Sequence, residues 1–135
     1  MFVTRAGRHD KSDLKGFIES RRDGEVDISE GTAMIAREGS IIGCIRLIEV
    51  EPDSLVYDDL LVAEGRDDGV ARQLVQAAMN NKGGRLFAAA PPAESDLFTS
   101  FGFEPIDRSD APEPVTGYWD SHQRPSEDLV YLRAR

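Results

Sequence analysis

Between Tyr57 and Met79 the hydrophobic rhythm of the chain changes once. Leu60, Leu61 and Val62 follow Tyr57 as the apolar run of a strand. Val70, Leu74 and Ala78 then recur every four residues, and Ala71, Val75 and Met79 widen that stripe into a helical face. The pattern predicts strand, glycine-containing turn, helix. Asp67 or Asp68 can cap the helix and Gly83-Gly84 can end it.

The same reading extends outward. Phe2, Val3 and Thr4 predict a short first strand within Met1 to Ala6. Leu14, Phe17 and Ile18 share the face of a helix that starts near Asp10 or Ser12 and ends at Asp23-Gly24. Thr32 to Arg37 and Ile41 to Val50 predict two strands joined by a hairpin turn at Glu38-Gly39-Ser40, with Arg46 and Glu49 on a partly exposed side. Pro52-Asp53-Ser54 turns the chain into the central strand and completes an antiparallel meander. Leu86 to Ala90 is continuously apolar, as in a strand covered on both faces. A short helix from about Ser95 to Phe101, stopped by a left-handed Gly102, and a strand at Phe103 to Ile106 follow. From Asp107 to Glu127 the Asp, Pro, Ser and Gly content predicts a long irregular loop, after which Leu129 to Leu132 supplies a last strand.

Composition narrows the class. The 135 residues suit one domain, 1–135, able to bury a core without disulfides. With 25 acidic against 16 basic residues the net charge is −9, which argues against a nucleic-acid partner because phosphate backbones are held by Lys and Arg. One cysteine, Cys44, and no signal-like apolar start fit the cytoplasm. No run reaches the roughly 20 apolar residues of a membrane span, so no membrane partner is expected. His9 and His122 stand without ligand partners at metal spacing, and no metal is expected.

The turn after the first strand of this unit is the candidate site. Free N–H groups at the start of the helix, with its positive dipole end behind them, suit an anion such as a pyrophosphate. The order Arg66-x-x-Gly69-x-Ala71, between a strand and a helix, resembles the acyl-CoA signature of the GNAT (N-acetyltransferase) superfamily. Leu97-Phe98-Thr99-Ser100-Phe101-Gly102-Phe103 is similar to that family's downstream Phe-Tyr-x-x-x-Gly-Phe segment.

The resemblance implies an α/β (α+β) fold: a mixed, mostly antiparallel sheet of six or seven strands with about three helices. It implies acetyl-CoA as co-substrate, held by Arg66, Asp67, Asp68, Gly69, Val70, Ala71 and Arg72, with Leu60, Leu61, Val62 and Phe98 along the rest of the donor. Backbone N–H groups near Leu60 to Val62 would receive the developing oxyanion. Two positions depart from the family. Val56 stands where several members carry a basic Glu, so Asp58, on the same face, is the candidate base and Asp59 faces the other way. Phe98 stands where a tyrosine often protonates the thiolate, leaving Tyr118 or Tyr131 as substitutes. Plainer readings stand beside these: solvated or salt-bridged aspartates, and tyrosines that only pack.

The implied activity is transfer of an acetyl group to the amine of a small molecule or amino-acid-like acceptor, with a homodimer allowed for. The alternative is a non-catalytic acyl-CoA-binding regulatory domain. The shortened first helical region, Val56, Phe98 and the Asp67-Asp68 pair favour it, and two carboxylates beside a pyrophosphate also cost donor affinity.

Overall fold

The computed structural model describes residues 2–21, 31–66, 68–81, 84–122 and 129–134. Among them, seven strands form one sheet in the order β1-β2-β3-β4-β5-β7-β6. The strands are β1 (Phe2–Arg5), β2 (Thr32–Glu38), β3 (Ser40–Glu51), β4 (Ser54–Val62), β5 (Arg85–Ala90), β6 (Phe103–Pro105) and β7 (Val130–Ala134), and the helices are α1 (Lys11–Arg21), α2 (Asp68–Asn81), α3 (Pro92–Ser100) and α4 (Glu113–His122). The sheet is mixed: β4 runs parallel to β5, while β1–β2, β2–β3, β5–β7 and β6–β7 are antiparallel. The α/β class and the seven strands agree with the expectation, and there is one helix more than the three expected.

By contacts the chain divides into two compact units: 1–48 with 58–82, and 49–57 with 83–135. In the first, β2 and β3 meet in a hairpin that closes at Glu38↔Ser40, with Gly39 in a left-handed turn at φ 79°. Leu14 and Ile18 of α1 bury against Ala33, Ile35, Ile41 and Cys44, with Phe17 and Leu61 at the margin. Val70, Leu74, Val75 and Ala78 of α2 are buried, as their four-residue spacing dictates. The register slips by one between Ala36 and Arg37, where Ala36 pairs Gly43 but Arg37 pairs Ile41.

The second unit is held by aromatic packing. Phe98 of α3 meets Phe103 of β6 edge-on at 5.3 Å, and Tyr57 of β4 lies 6.0 Å from the same ring. Gly102 takes the expected left-handed conformation, φ 94°. The expected irregular loop is corrected here. Val115, Tyr118 and Trp119 are three and four residues apart on α4 and all are buried. Trp119 packs on Tyr131 of β7 at 4.7 Å, and Arg108 lies over the same Tyr131 ring while bonding Asp120 and the Thr116 carbonyl. Prolines obscured the helix but do not break it, since Pro112 precedes it and Pro114 sits in its first turn, where no N–H partner is needed. The end of the predicted loop, 123–127, and the predicted stop at Asp23-Gly24 lie outside the described residues.

Two substitutions test these assignments in opposite directions. Gly16 is an exposed interior position of α1, and an added Cβ meets nothing within 4 Å. Gly16→Ala therefore stabilises by about 0.5–1 kcal/mol. Leu74→Ala, at a fully buried site, costs about 2–5 kcal/mol. Urea unfolding measures both.

Candidate functional site

β4 does not remain a regular strand. Its parallel register with β5 runs from Ser54↔Arg85 to Tyr57↔Ala88. Two residues later, Asp59 has φ +50°. A left-handed residue with a side chain costs about 1–3 kcal/mol and persists only where its surroundings impose it. The surroundings here are specific. The Asp59 carboxylate accepts from Arg46 Nη1 at 3.1 Å, and both side chains are essentially out of water (0% and 5% exposed). The Cys44 thiol donates to the Asp59 carbonyl at 3.3 Å, and the Asp59 N–H donates to Asp58 Oδ1 at 2.8 Å. Burial, with the Asp59 charge adding to it, pushes the Cys44 thiol up to about 12. The thiol therefore stays protonated near neutral pH and remains a donor.

Arg46 is one of the residues the sequence misplaced. Its charge between Ile45 and Leu47 suggested a partly exposed side, yet Ile41 to Ile48 are all buried. The ion pair with Asp59 is what makes a buried guanidinium tolerable.

After Val62 the chain turns through Ala63 to Arg66. The Arg66 N–H bonds the Ala63 carbonyl at 3.1 Å, Gly65 takes φ 83°, and the Ala63 N–H bonds Ile42 O at 2.8 Å on β3. The first turn of α2 then carries Gly69 and Arg72 exposed, Ala71 half-buried and Val70 buried. Its seat is Gly43: a Cβ there would lie 2.9 Å from both Val70 Cγ1 and Leu74 Cδ1 and 3.2 Å from Leu61 O. Absence of a side chain at Gly43 lets the helix start approach β3, and a glycine inside an apolar strand was the available signal for it.

Electrostatics at the turn are less favourable to an anion than Arg66 alone suggests. Arg66 Nη2 is 2.5 Å from Glu38 Oε1, and that hydrogen bond holds the Glu38 carboxyl below its usual range. The ion pair therefore persists at neutral pH, and an incoming phosphate competes with a carboxylate for Arg66. Asp68 opens α2, while Asp67 lies outside the described residues and so does the cap expected from it.

The first unit thus brings together Asp58, Leu60, Leu61, Val62, Arg66, Gly69, Val70, Ala71 and Arg72 on one strand, turn and helix. Asp58, Leu60, Leu61 and Val62 are each half-buried. Phe98 belongs to the second unit, buried against Phe103. Tyr118 stacks on His122 at 4.0 Å and Tyr131 packs on Trp119, so both candidate acids serve as packing groups of that unit. Tyr57 is buried too, and burial raises its phenol above the ordinary value. Among the described residues, no group of His, Cys, Asp and Glu is arranged to hold a metal ion, and no helix is long and apolar enough to cross a membrane.

Solved structures share this fold. A GNAT-family acetyltransferase from Staphylococcus aureus Mu50 superposes with TM-score 0.70 at 17% identity, over 98% of this chain and 97% of that one. An acyl-CoA N-acyltransferase from Pseudomonas aeruginosa gives TM-score 0.74 at 12% identity over 100% of both chains. N-acetylglutamate synthase from Neisseria gonorrhoeae, complexed with coenzyme A and N-acetyl-glutamate, gives 0.71 at 20% identity. This chain is fully covered in that match but spans only 35% of the synthase. No protein-family model matches the sequence, and no curated protein matches it either.

The seat of α2 is open to a direct test. Gly43→Val overpacks the contact with Val70, Leu74 and the Leu61 carbonyl, and destabilises by about 1–3 kcal/mol in denaturant unfolding.

Proposed function

We propose that this chain, whose fold is that of the GNAT superfamily, is an acyl-CoA-dependent N-acyltransferase moving an acetyl group to the amine of a small molecule or amino-acid-like acceptor. The observation that carries the reading is the first turn of α2. Gly69 is exposed there, and Gly43 seats the turn directly after the bend of β4. An exposed glycine leaves its backbone open to close approach, and the helix N-terminus supplies both donors and positive potential. These residues fit a pyrophosphate. Arg66, Gly69, Val70, Ala71 and Arg72 would hold it, and acetyl-CoA would bring the activated thioester. Asp67, Asp68 and Phe98 remain in the proposed donor site on the strength of the sequence pattern, and Leu60 to Val62 would run beside the acyl arm.

Asp58 is the proposed base. It takes the proton that the amine loses as the new C–N bond forms and the C–S bond breaks, and the departing thiolate is protonated by solvent. A positioned base of this kind contributes about 10²–10⁴ in rate. The acceptor side is drawn more broadly: the coenzyme A and N-acetyl-glutamate complex of the Neisseria enzyme supports an amino-acid-like amine, and the −9 charge suits a cationic one.

A second reading, acyl-CoA binding without turnover, is favoured by two features. Phe98 offers no hydroxyl and Val56 no carboxylate where the family pattern often has them.

Calorimetric titration of acetyl-CoA tests the donor site. Micromolar binding is expected, abolished by Gly69→Glu, which puts a bulky anion on the exposed first turn. No binding by the unaltered chain sinks both readings. Across a panel of amines, Asp58→Asn is expected to lower kcat by about 10²–10⁴ with little change in the donor KM. Binding without turnover of any amine selects the second reading.

Glu38 gives an independent prediction. Glu38→Gln releases Arg66 to the phosphates and tightens coenzyme A binding several-fold at low salt. The gain shrinks as added salt screens this largely exposed site.

A further inference from the structure

The bend of β4 is fastened more heavily than a strand requires. All three polar groups of Asp59 are engaged at once: the carboxylate by Arg46, the carbonyl by the Cys44 thiol, and the N–H by Asp58. Two of these partners come from the neighbouring β3, and Arg46 and Asp59 are both withdrawn from water. A buried ion pair of this kind seldom stabilises more than apolar residues of the same size would, so stability is a poor account of it. Geometry is a better one. The left-handed φ of Asp59 sets the peptide planes that follow it, beginning with the one that carries the Leu60 N–H, differently from those of an extended strand.

We propose that Arg46 and Asp59, with Cys44, form a positioning clamp that locks the left-handed bend of β4 and so aims the backbone N–H groups beginning at Leu60 toward the carbonyl of the bound thioester. The clamp rests on the acyltransferase reading above. Neither Arg46 nor Asp59 touches the donor; each acts through the backbone between them and it. Cys44 serves as a hydrogen-bond donor, and its protonated, buried state excludes it as a nucleophile. The design also explains why a charged residue interrupts the apolar run Ile45-Arg46-Leu47. Loss of the clamp frees the bend without removing any contact to the nucleotide end of the donor.

The test compares acetyl-CoA with S-ethyl-CoA, a thioether in which a methylene replaces the carbonyl, and uses coenzyme A as reference. The unaltered chain is expected to bind acetyl-CoA about tenfold tighter than the thioether, the worth of one hydrogen bond. The double variant Arg46→Met/Asp59→Asn, which removes both charges without orphaning either, is expected to bring that ratio close to one. Arg46→Lys keeps a cation against Asp59 and retains most of the preference. Near-ultraviolet circular dichroism verifies folding. Should the double variant not fold, Cys44→Ala removes the donor to the Asp59 carbonyl without leaving a buried charge, and shows a smaller loss of the same ratio.

An undiminished ratio in a folded variant overturns the clamp. So does an unaltered chain that binds coenzyme A but does not distinguish thioester from thioether. Failure of the unaltered chain to bind coenzyme A at all is a different result: it overturns the donor reading, and the clamp falls with it.

Discussion

The left-handed bend at Asp59 is the constraint on which the first unit turns. β4 enters it as a regular strand, paired with β5 through Tyr57, and leaves it toward the turn that opens α2. The buried pair with Arg46 fixes where the change occurs. Removing one partner would strand a charge out of water, a change that typically costs about 3–5 kcal/mol. Such a penalty makes the bend an all-or-none feature rather than a soft curvature. β3 supplies the matching parts in alternation. Cys44 and Arg46 hold Asp59, while Gly43, on the opposite face of the strand, receives Val70 and Leu74 of α2. A single strand therefore registers both the bend and the helix start that follows it.

Charge around that helix start is balanced against the function it is proposed to serve. Helix geometry favours an anion there, yet Glu38 occupies Arg66. Such an arrangement would lower affinity for the proposed donor without closing the proposed site, because the Glu38–Arg66 pair is made by side chains and the donors of a helix start are backbone groups. The net charge of −9 works in the same direction at longer range. A site of this kind is sensitive to ionic strength, and its occupancy is tuned by side chains outside the signature itself.

Local patterning was read well where one element buries one face. The four-residue spacing of Val70, Leu74 and Ala78 corresponds to the buried face of α2, and the hairpin glycine, the two-sided β5 and left-handed Gly102 fall where expected. Reading failed where composition spoke louder than periodicity. Pro112, Pro114, Gly117 and the surrounding acids resemble a loop, but Val115, Tyr118 and Trp119 keep helical spacing beneath them and bury together in α4. Arg46 failed for a different reason: a charge in a strand is normally a sign of solvent, and only a partner distant in sequence can overrule it.

The sequence by itself determined the elements other than α4 and the strand–turn–helix that carries the acyl-CoA-like signature, because hydrophobic period and glycine placement act within a few residues. Through the resemblance of that stretch to the GNAT signature it also offered Gly69 and Asp58 as candidates. Only the tertiary structure decided that Asp59 bends β4, that Arg46 is buried to hold it, that Gly43 seats α2 and that Glu38 claims Arg66. Each of these joins residues thirteen to thirty-one positions apart. Their effect depends on burial and distance, and neither exists until the strands have paired.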